Sequence, residues 1–269
     1  MKPTHVLFVG ATGSVGRCAV HEGLAQGYRV RALVRDASRV CFGPNAEVCE
    51  GDLTNVGDMR RALSGIDGIV FTMGANGGPT LNEAVDYGAV KNALDALDGR
   101  PARIALMTVI GLAADMDTEY NRSTQAHDWK RRSERLVRAS GNEYTIVRPG
   151  WFDMEGADEH RIRFQQDQRR MYTGPGDGSV SRRQIAQTLV TALGCEAANR
   201  KTFNLVDEPG QAQGDAELAV LFAALEPDPQ GAPFDGYDDP ANFPLCAQPK
   251  RVREELTRIA HQHTERTTS

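Results

Sequence analysis

No apolar run in this sequence approaches the roughly 20 residues that a membrane-spanning helix needs. The first run, Val6 to Val9, stops at a glycine and is too short for the apolar core of a secretory leader. A cytoplasmic protein with no membrane partner is therefore expected. Cysteine is sparse: Cys18, Cys41, Cys49, Cys195 and Cys246 are odd in number and form no C-x-x-C, so neither a disulfide framework nor a zinc site is predicted. His261 and His263 point to different sides of a helix, and H-E-x-x-H is missing. No metal is expected. Basic residues are scattered and the net charge is -5, which leaves no concentrated footprint for nucleic acid. With 40% apolar and 25% charged residues over 269 positions, the composition is that of a folded globular chain. Nothing in it sets an oligomeric state.

What is present is alternation. Short, nearly continuous apolar runs predict strands at His5–Val9, Arg29–Val34, Glu47–Glu50, Gly68–Thr72, Arg103–Thr108 and Tyr144–Val147. Helical patterns lie between them at Val15–Gln26, Val56–Leu63, Leu81–Leu97 and Trp129–Ala139. Strands covered on both faces, joined through helices, predict a doubly wound α/β fold around a parallel sheet with right-handed crossovers. After Pro149 the texture changes. Residues 155–179 are charged and glycine-rich, with a turn cluster at Thr173–Gly178. Ser181 and Gln184 stand at capping-box spacing before a helix, Thr202–Val206 predicts a strand, and Ala216–Leu225 and the basic stretch Lys250–His263 predict helices. Between them residues 226–249 hold six prolines and predict an extended surface segment. Residues 1–150 are thus expected to form a dinucleotide-binding core. Residues 151–269 are expected to add sheet-edge elements and a small substrate cap, as part of the same structural unit.

The chemistry starts at Val9-Gly10-Ala11-Thr12-Gly13-Ser14-Val15-Gly16. Gly10 permits the tight turn out of a strand, Gly13 lets the backbone approach a pyrophosphate, and Gly16 lets the helix pack close. The helix start then offers unpaired N–H groups to phosphate. The motif follows a predicted strand and opens a predicted helix, the context a dinucleotide site requires. The second strand ends at Arg35, whose guanidinium suits the 2′-phosphate of NADP. Asp36 follows, and a strand one residue longer would place an acid there and favour NAD. The reading here is NADP. Arg17 is a second phosphate candidate, or an exposed helix residue.

Together with Leu33-Val34-Arg35-Asp36, Gly51-Asp52-Leu53, Val85-Asp86-Tyr87 and Tyr144-Thr145-Ile146-Val147-Arg148-Pro149-Gly150, this loop resembles the atypical short-chain dehydrogenase/reductases. Within them the chain is similar to the NmrA-like and NAD(P)H-binding oxidoreductases, over about residues 4–206. The resemblance implies a Rossmann fold, with Thr12, Ser14 and Val15 at the phosphates and Asp52 and Leu53 flanking the adenine. It also implies that Thr72, Met73 and Gly74 lie beside the ribose, and Pro149 and Gly150 line the nicotinamide side.

Reductases of that family often use a tyrosine four residues before a lysine, the tyrosine donating a proton as hydride arrives. Lys130 matches the lysine, and the tyrosine position is Ala126. Three readings stay open. Lys130 alone holds the ribose or supplies the proton; a neighbour such as His127 or Tyr120 does; or the chain binds dinucleotide as a redox sensor without hydride transfer. Thr108 matches the family's serine, and a strand-end hydroxyl satisfied locally is its plain alternative. Trp151, Phe152 and Met154 are placed to stack on a planar substrate or to pack the cap, and the small residues Ala75 to Gly78 leave room for a ligand. Arg161, Arg163, Arg169 and Arg170 face an anionic ligand or pair with local acids. The expected function is NADPH-dependent reduction of a carbonyl, enone, quinone or flavin-type small molecule. The alternatives are a non-catalytic regulator and a biosynthetic enzyme using the fold for a non-redox step.

Overall fold

The computed structural model describes residues 2–166, 170–229 and 240–267. Eleven elements lead to the middle of the chain: β1 (His5–Val9), α1 (Ser14–Ala25), β2 (Arg29–Val34), β3 (Ala46–Glu50), α2 (Val56–Ala62), β4 (Gly68–Phe71), α3 (Pro79–Asn82), α4 (Gly88–Leu97), β5 (Arg103–Met107), α5 (Glu119–Thr124) and α6 (Ala126–Ala139). They are followed by β6 (Glu143–Pro149), β7 (Trp151–Phe152), β8 (Arg161–Gln165), β9 (Ser179–Val180), α7 (Arg182–Gly194), β10 (Lys201–Glu208), α8 (Asp215–Ala224) and α9 (Lys250–Thr267).

The sheet has eight strands in the order β3-β2-β1-β4-β5-β6-β10-β8, all parallel except β8, which runs antiparallel to β10. The expected doubly wound α/β architecture is the observed one. Strand order reverses between β1 and β4, so a crevice opens outside their carboxyl ends, where such folds bind ligands. The sheet is packed on both faces because alternate strand residues point to opposite sides. Val6 and Phe8 of β1 join the cluster that holds Val15, Ala19, Ile185 and Leu189. Leu7 and Val9 join the one that holds Met59, Val90, Leu94 and Leu136.

The strand expected at Thr202–Val206 is observed, as part of the longer β10 that pairs with β6, and β8 adds an edge beyond it. Several elements depart from the sequence expectation. Strand β8 lies inside a stretch expected to be irregular. Its Ile162 is buried while Arg161 and Arg163 are largely exposed, the alternation of a half-covered strand. The helix expected at Leu81–Leu97 is broken by a π-helical turn at Glu83–Tyr87, which buries both Asp86 and Tyr87. Helix α6 starts at Ala126, three residues earlier than expected, from Gln125 at φ 54°. Within the expected extended segment, residues 240–249 make short 3-10 turns at Pro240–Asn242 and Leu245–Ala247. Residues 230–239 lie outside the described residues, as does Arg169.

Candidate active site

The glycine loop is built by close backbone approach. Gly13 N–H donates to Gly10 O at 2.9 Å, closing the turn after β1. Gly10 sits at φ +88°, and a Cβ on it would lie 2.6 Å from the amide nitrogen of Met73, so the loops after β1 and β4 touch. A Cβ on Gly16 would lie 2.0 Å from Gly10 O and 2.9 Å from Thr72 Oγ1. Only hydrogen fits there. Helix α1 begins at Ser14 with Gly13 as its cap and no side chain on its first amides. Those amides are therefore free for an anion. Thr12, Gly13 and Ser14 are exposed, Val15 is anchored in the core, and the Arg17 Nε donates to Thr12 O at 3.2 Å.

At the end of β2 the two candidate selectors differ. Arg35 is exposed and has no hydrogen-bond or ion-pair partner among the described residues. Asp36 is fully engaged: Oδ1 accepts from Ser38 N–H at 3.0 Å and Ser38 Oγ at 2.6 Å, and Oδ2 pairs with Arg39 at 2.9 Å. Asp52 is occupied in a similar way, accepting from Thr54 N–H and Thr54 Oγ1 at 2.8 Å each. Leu53 is half-buried, and its carbonyl accepts from Asn92 at 3.2 Å.

Beyond β4, Thr72 and Met73 are buried and Gly74 roofs a buried ion pair. Lys130 Nζ lies 2.6 Å from Asp86 Oδ1, and a Cβ on Gly74 would sit 3.8 Å from that nitrogen. Asp86 is 2% exposed, and burial pushes its carboxyl up while Lys130 opposes the shift. The π-helical turn brings Asp86 inward, consistent with the tendency of such turns to sit at functional sites. The motif Val85-Asp86-Tyr87 does not by itself announce this pairing.

His127 lies one helical turn before Lys130 and lines a cleft of about 480 Å³. The cleft is formed by Val109, Ile110, Asp115, Thr118, Tyr120, His127, Gly150, Trp151, Phe152 and Tyr172. Neither lysine nor arginine is among these residues. Gly150 is required for its shape, since a Cβ there would lie 2.3 Å from Gly178 O, where β7 leaves β6 to pair with β9. Pro149 ends β6 beside Leu205, and its carbonyl accepts from Ile110 N–H at 3.0 Å. Trp151 and Phe152 line the cleft and also pack on the core. Met154 is 59% exposed and is not part of the lining.

The proton-donor candidates are sorted by their bonds. Thr108 is 4% exposed, and its hydroxyl donates to Glu134 Oε1 at 2.7 Å, away from the cleft. Its hydrogen is already committed to a buried carboxylate. His127 Nδ1 lies 3.2 Å from the carbonyl of Asp115, and a carbonyl can only accept. Nδ1 therefore carries the hydrogen, and the neutral ring keeps a lone pair at Nε2. Burial pushes the ring below its usual pKa, so near pH 7 it is an acceptor. Tyr120 is 56% exposed, with its ring edge-on to His127 at 5.7 Å. Ala126 is buried and offers no hydroxyl. The arginines expected near an anion are paired elsewhere: Arg161 and Arg163 with Glu208, and Arg170 with Asp177.

Among the described residues no helix is long and apolar enough to cross a membrane. Sanguinarine reductase from Eschscholzia californica is 23% identical over 268 residues, covering 83% of this chain and 97% of that protein. A putative NAD-dependent epimerase/dehydratase from Bacillus halodurans superposes with a TM-score of 0.67 at 21% identity, over 81% of this chain and 99% of that one. An anaerobillin reductase from Escherichia coli O157:H7 superposes with a TM-score of 0.60 at 22% identity, over 76% and 97%. The NAD(P)H-binding family model matches residues 10–196, from the first glycine of the loop to the end of α7 and just beyond. The NAD(P)H-binding family expected from the motifs is thus the one found, and the chain belongs to it.

Proposed function

We propose that this protein is an NADPH-dependent reductase of flat, uncharged, largely apolar molecules bearing a carbonyl, enone, quinone or flavin-type acceptor. The observation that carries the reading is the position of the Lys130–Asp86 pair. It lies under Gly74 at the dinucleotide crevice and one helical turn from His127 in the aromatic cleft. A site for cofactor and a site for substrate thus share one wall.

The residues fit a dinucleotide. The bare start of α1 offers amides to the pyrophosphate, and the glycine contacts leave no side chain in its way. Arg35, without a partner, would take the 2′-phosphate, and Asp36, already bonded to Ser38 and Arg39, is a poor acceptor for ribose hydroxyls. Lys130 would hold the nicotinamide ribose, with Asp86 fixing its ammonium. When bound, the reduced nicotinamide supplies a hydride. The chain contributes positioning, which alone lowers a barrier by several kcal/mol, of the order of 7 or more in the best-aligned cases. Tyr120, Trp151, Phe152 and Tyr172 supply flat apolar walls for a planar substrate. The reductase names of two relatives agree with this chemistry.

The test is purified protein with NADPH or NADH and a panel of quinones, flavins, enones and aldehydes, followed at the nicotinamide absorbance. Turnover with NADPH on at least one planar acceptor is expected, with Lys130→Ala strongly impaired. Tight NADPH binding without turnover on any of them would overturn the reading. It would favour the redox sensor, the alternative that Ala126 at the tyrosine position supports.

A further inference from the structure

Reduction of a carbonyl needs a proton as well as a hydride. Ala126 has none, the Thr108 hydrogen is given to Glu134, and His127 is held as an acceptor. One carboxyl stands in the cleft. Asp115 lines it, is 6% exposed, and has Oδ1 buried without a hydrogen-bond partner among the described residues. Its Oδ2 accepts a long bond from Tyr172 N–H, 3.4 Å.

The local fold is shaped around this carboxyl. Gly111 stands at φ +70°, and a Cβ there would lie 2.4 Å from Asp115 Oδ2. The turn closes through Asp115 N–H to Gly111 O at 2.8 Å. The Asp115 carbonyl meanwhile fixes His127 and Thr118 at 3.2 and 3.1 Å. A buried carboxylate with an unsatisfied oxygen is costly, and the same oxygen carrying a proton needs only a ligand acceptor to be satisfied.

We infer that Asp115 is the proton donor of this cleft, delivering the hydrogen of its carboxyl at Oδ1 to the oxygen of a bound carbonyl-type substrate. The inference rests on the reductase reading above. The substrate carbon gains hydride from reduced nicotinamide, and the C=O π pair moves to oxygen. The new O–H bond forms as the Oδ1–H bond breaks. The products are the alcohol, oxidised nicotinamide and the Asp115 carboxylate, which recovers a proton from solvent through the cleft mouth. Burial also pushes the carboxyl above its ordinary range, in the direction the role requires. The titratable groups facing it are His127 from α6, Tyr120 from α5 and Tyr172 from the segment before β9.

Asp115→Asn keeps the shape and an acceptor for the Tyr172 amide, and Asp115→Ser serves as a second variant that fits beside Gly111. With an acceptor the wild type reduces, both variants should lose about 10²- to 10⁴-fold in kcat while the NADPH dissociation constant stays within about twofold. A second readout uses cofactor-free protein with 13C-carboxyl-labelled aspartate. The resonance missing from Asp115→Asn should titrate above the ordinary carboxylate range. An active wild type with equally active variants overturns the assignment, and so does ordinary titration of that resonance. A wild type inactive on every acceptor instead removes the reductase reading, and the donor role with it.

Discussion

The glycine loop and helix α6 both bring polar groups to the carboxyl end of the sheet, and they handle them in opposite ways. The loop presents backbone amides that no side chain caps, and the neighbouring end of β2 presents an exposed Arg35 with no partner among the described residues. Helix α6 carries Arg131, Arg132, Arg135 and Arg138 in nine residues with Lys130, and the protein itself consumes that charge. Arg131 is 0% exposed and donates to Asn242 at 2.6 Å, and Arg132 donates to Gln248 at 3.0 Å. Arg131, Arg132 and Arg135 stand about Phe243, whose carbonyl takes a further bond from Arg135. Arg138 pairs with Glu134 and Asp228, both at 3.1 Å. Density of positive charge in the sequence therefore does not mark the anion site.

The comparison breaks most violently at Glu134. This carboxylate is 0% exposed and receives Thr108 at 2.7 Å, Arg148 at 3.0 and 2.6 Å, and Arg138 at 3.1 Å. Glu134→Ala takes the shared carboxylate from two buried guanidiniums, Arg148 and Arg138, the second of which keeps Asp228, and a loss of about 3–5 kcal/mol is expected. Urea unfolding followed by circular dichroism measures it. A loss below about 1 kcal/mol would mean that the arginines reach solvent and that the buried network is not structural.

The same contrast explains what was legible beforehand. The loop could be read because each glycine's task is set within a few residues by a turn, a close approach and a helix start. Helix α6 could not, because its counter-groups come from afar: Asp228, Asn242, Phe243 and Gln248 all lie in the proline-rich segment 226–249. A run of arginines then looks solvated, although Arg131 is among the largest fully buried side chains. Strand β8 was signalled by the alternation of Arg161, Ile162, Arg163 and Phe164, and its charges hid it. Lys130 was found from motif spacing, but its partner Asp86 depends on a π-helical turn that no period in the sequence announces. Asp115 carries no motif at all. Its role becomes visible only where burial, an unsatisfied oxygen and a cleft coincide.

At the loop the decisive property is lack of volume, so a single methyl tests it. Gly16→Ala must push α1 away from Gly10 O, which a Cβ would approach to 2.0 Å. Overpacking of this kind typically costs about 1–3 kcal/mol. The expected readout is NADPH affinity weaker by about ten- to a hundredfold, 1.4 kcal/mol being a factor of ten. Nicotinamide fluorescence titration measures it. Unchanged affinity in a folded variant would show that phosphate is not held by this backbone.

The smallest expected effect sharpens the contrast, because it concerns an arginine that has no internal partner among the described residues. Arg35→Ser removes an exposed guanidinium with no internal partner, so little change in stability is expected. Its role is then confined to the ligand. A charge-assisted bond to a phosphate in water-exposed surroundings sustains about 1.5 kcal/mol, so NADPH affinity should fall about tenfold while NADH affinity stays level. Asp36 gives the result its direction. Its oxygens are bound to Ser38 and Arg39, so loss of Arg35 does not hand the ribose to a waiting acid, and NADH should not gain. Equal losses for both cofactors would mean that Arg35 supports the loop rather than reads the 2′-phosphate. A gain for NADH would mean that Asp36 leaves its turn to take the ribose hydroxyls.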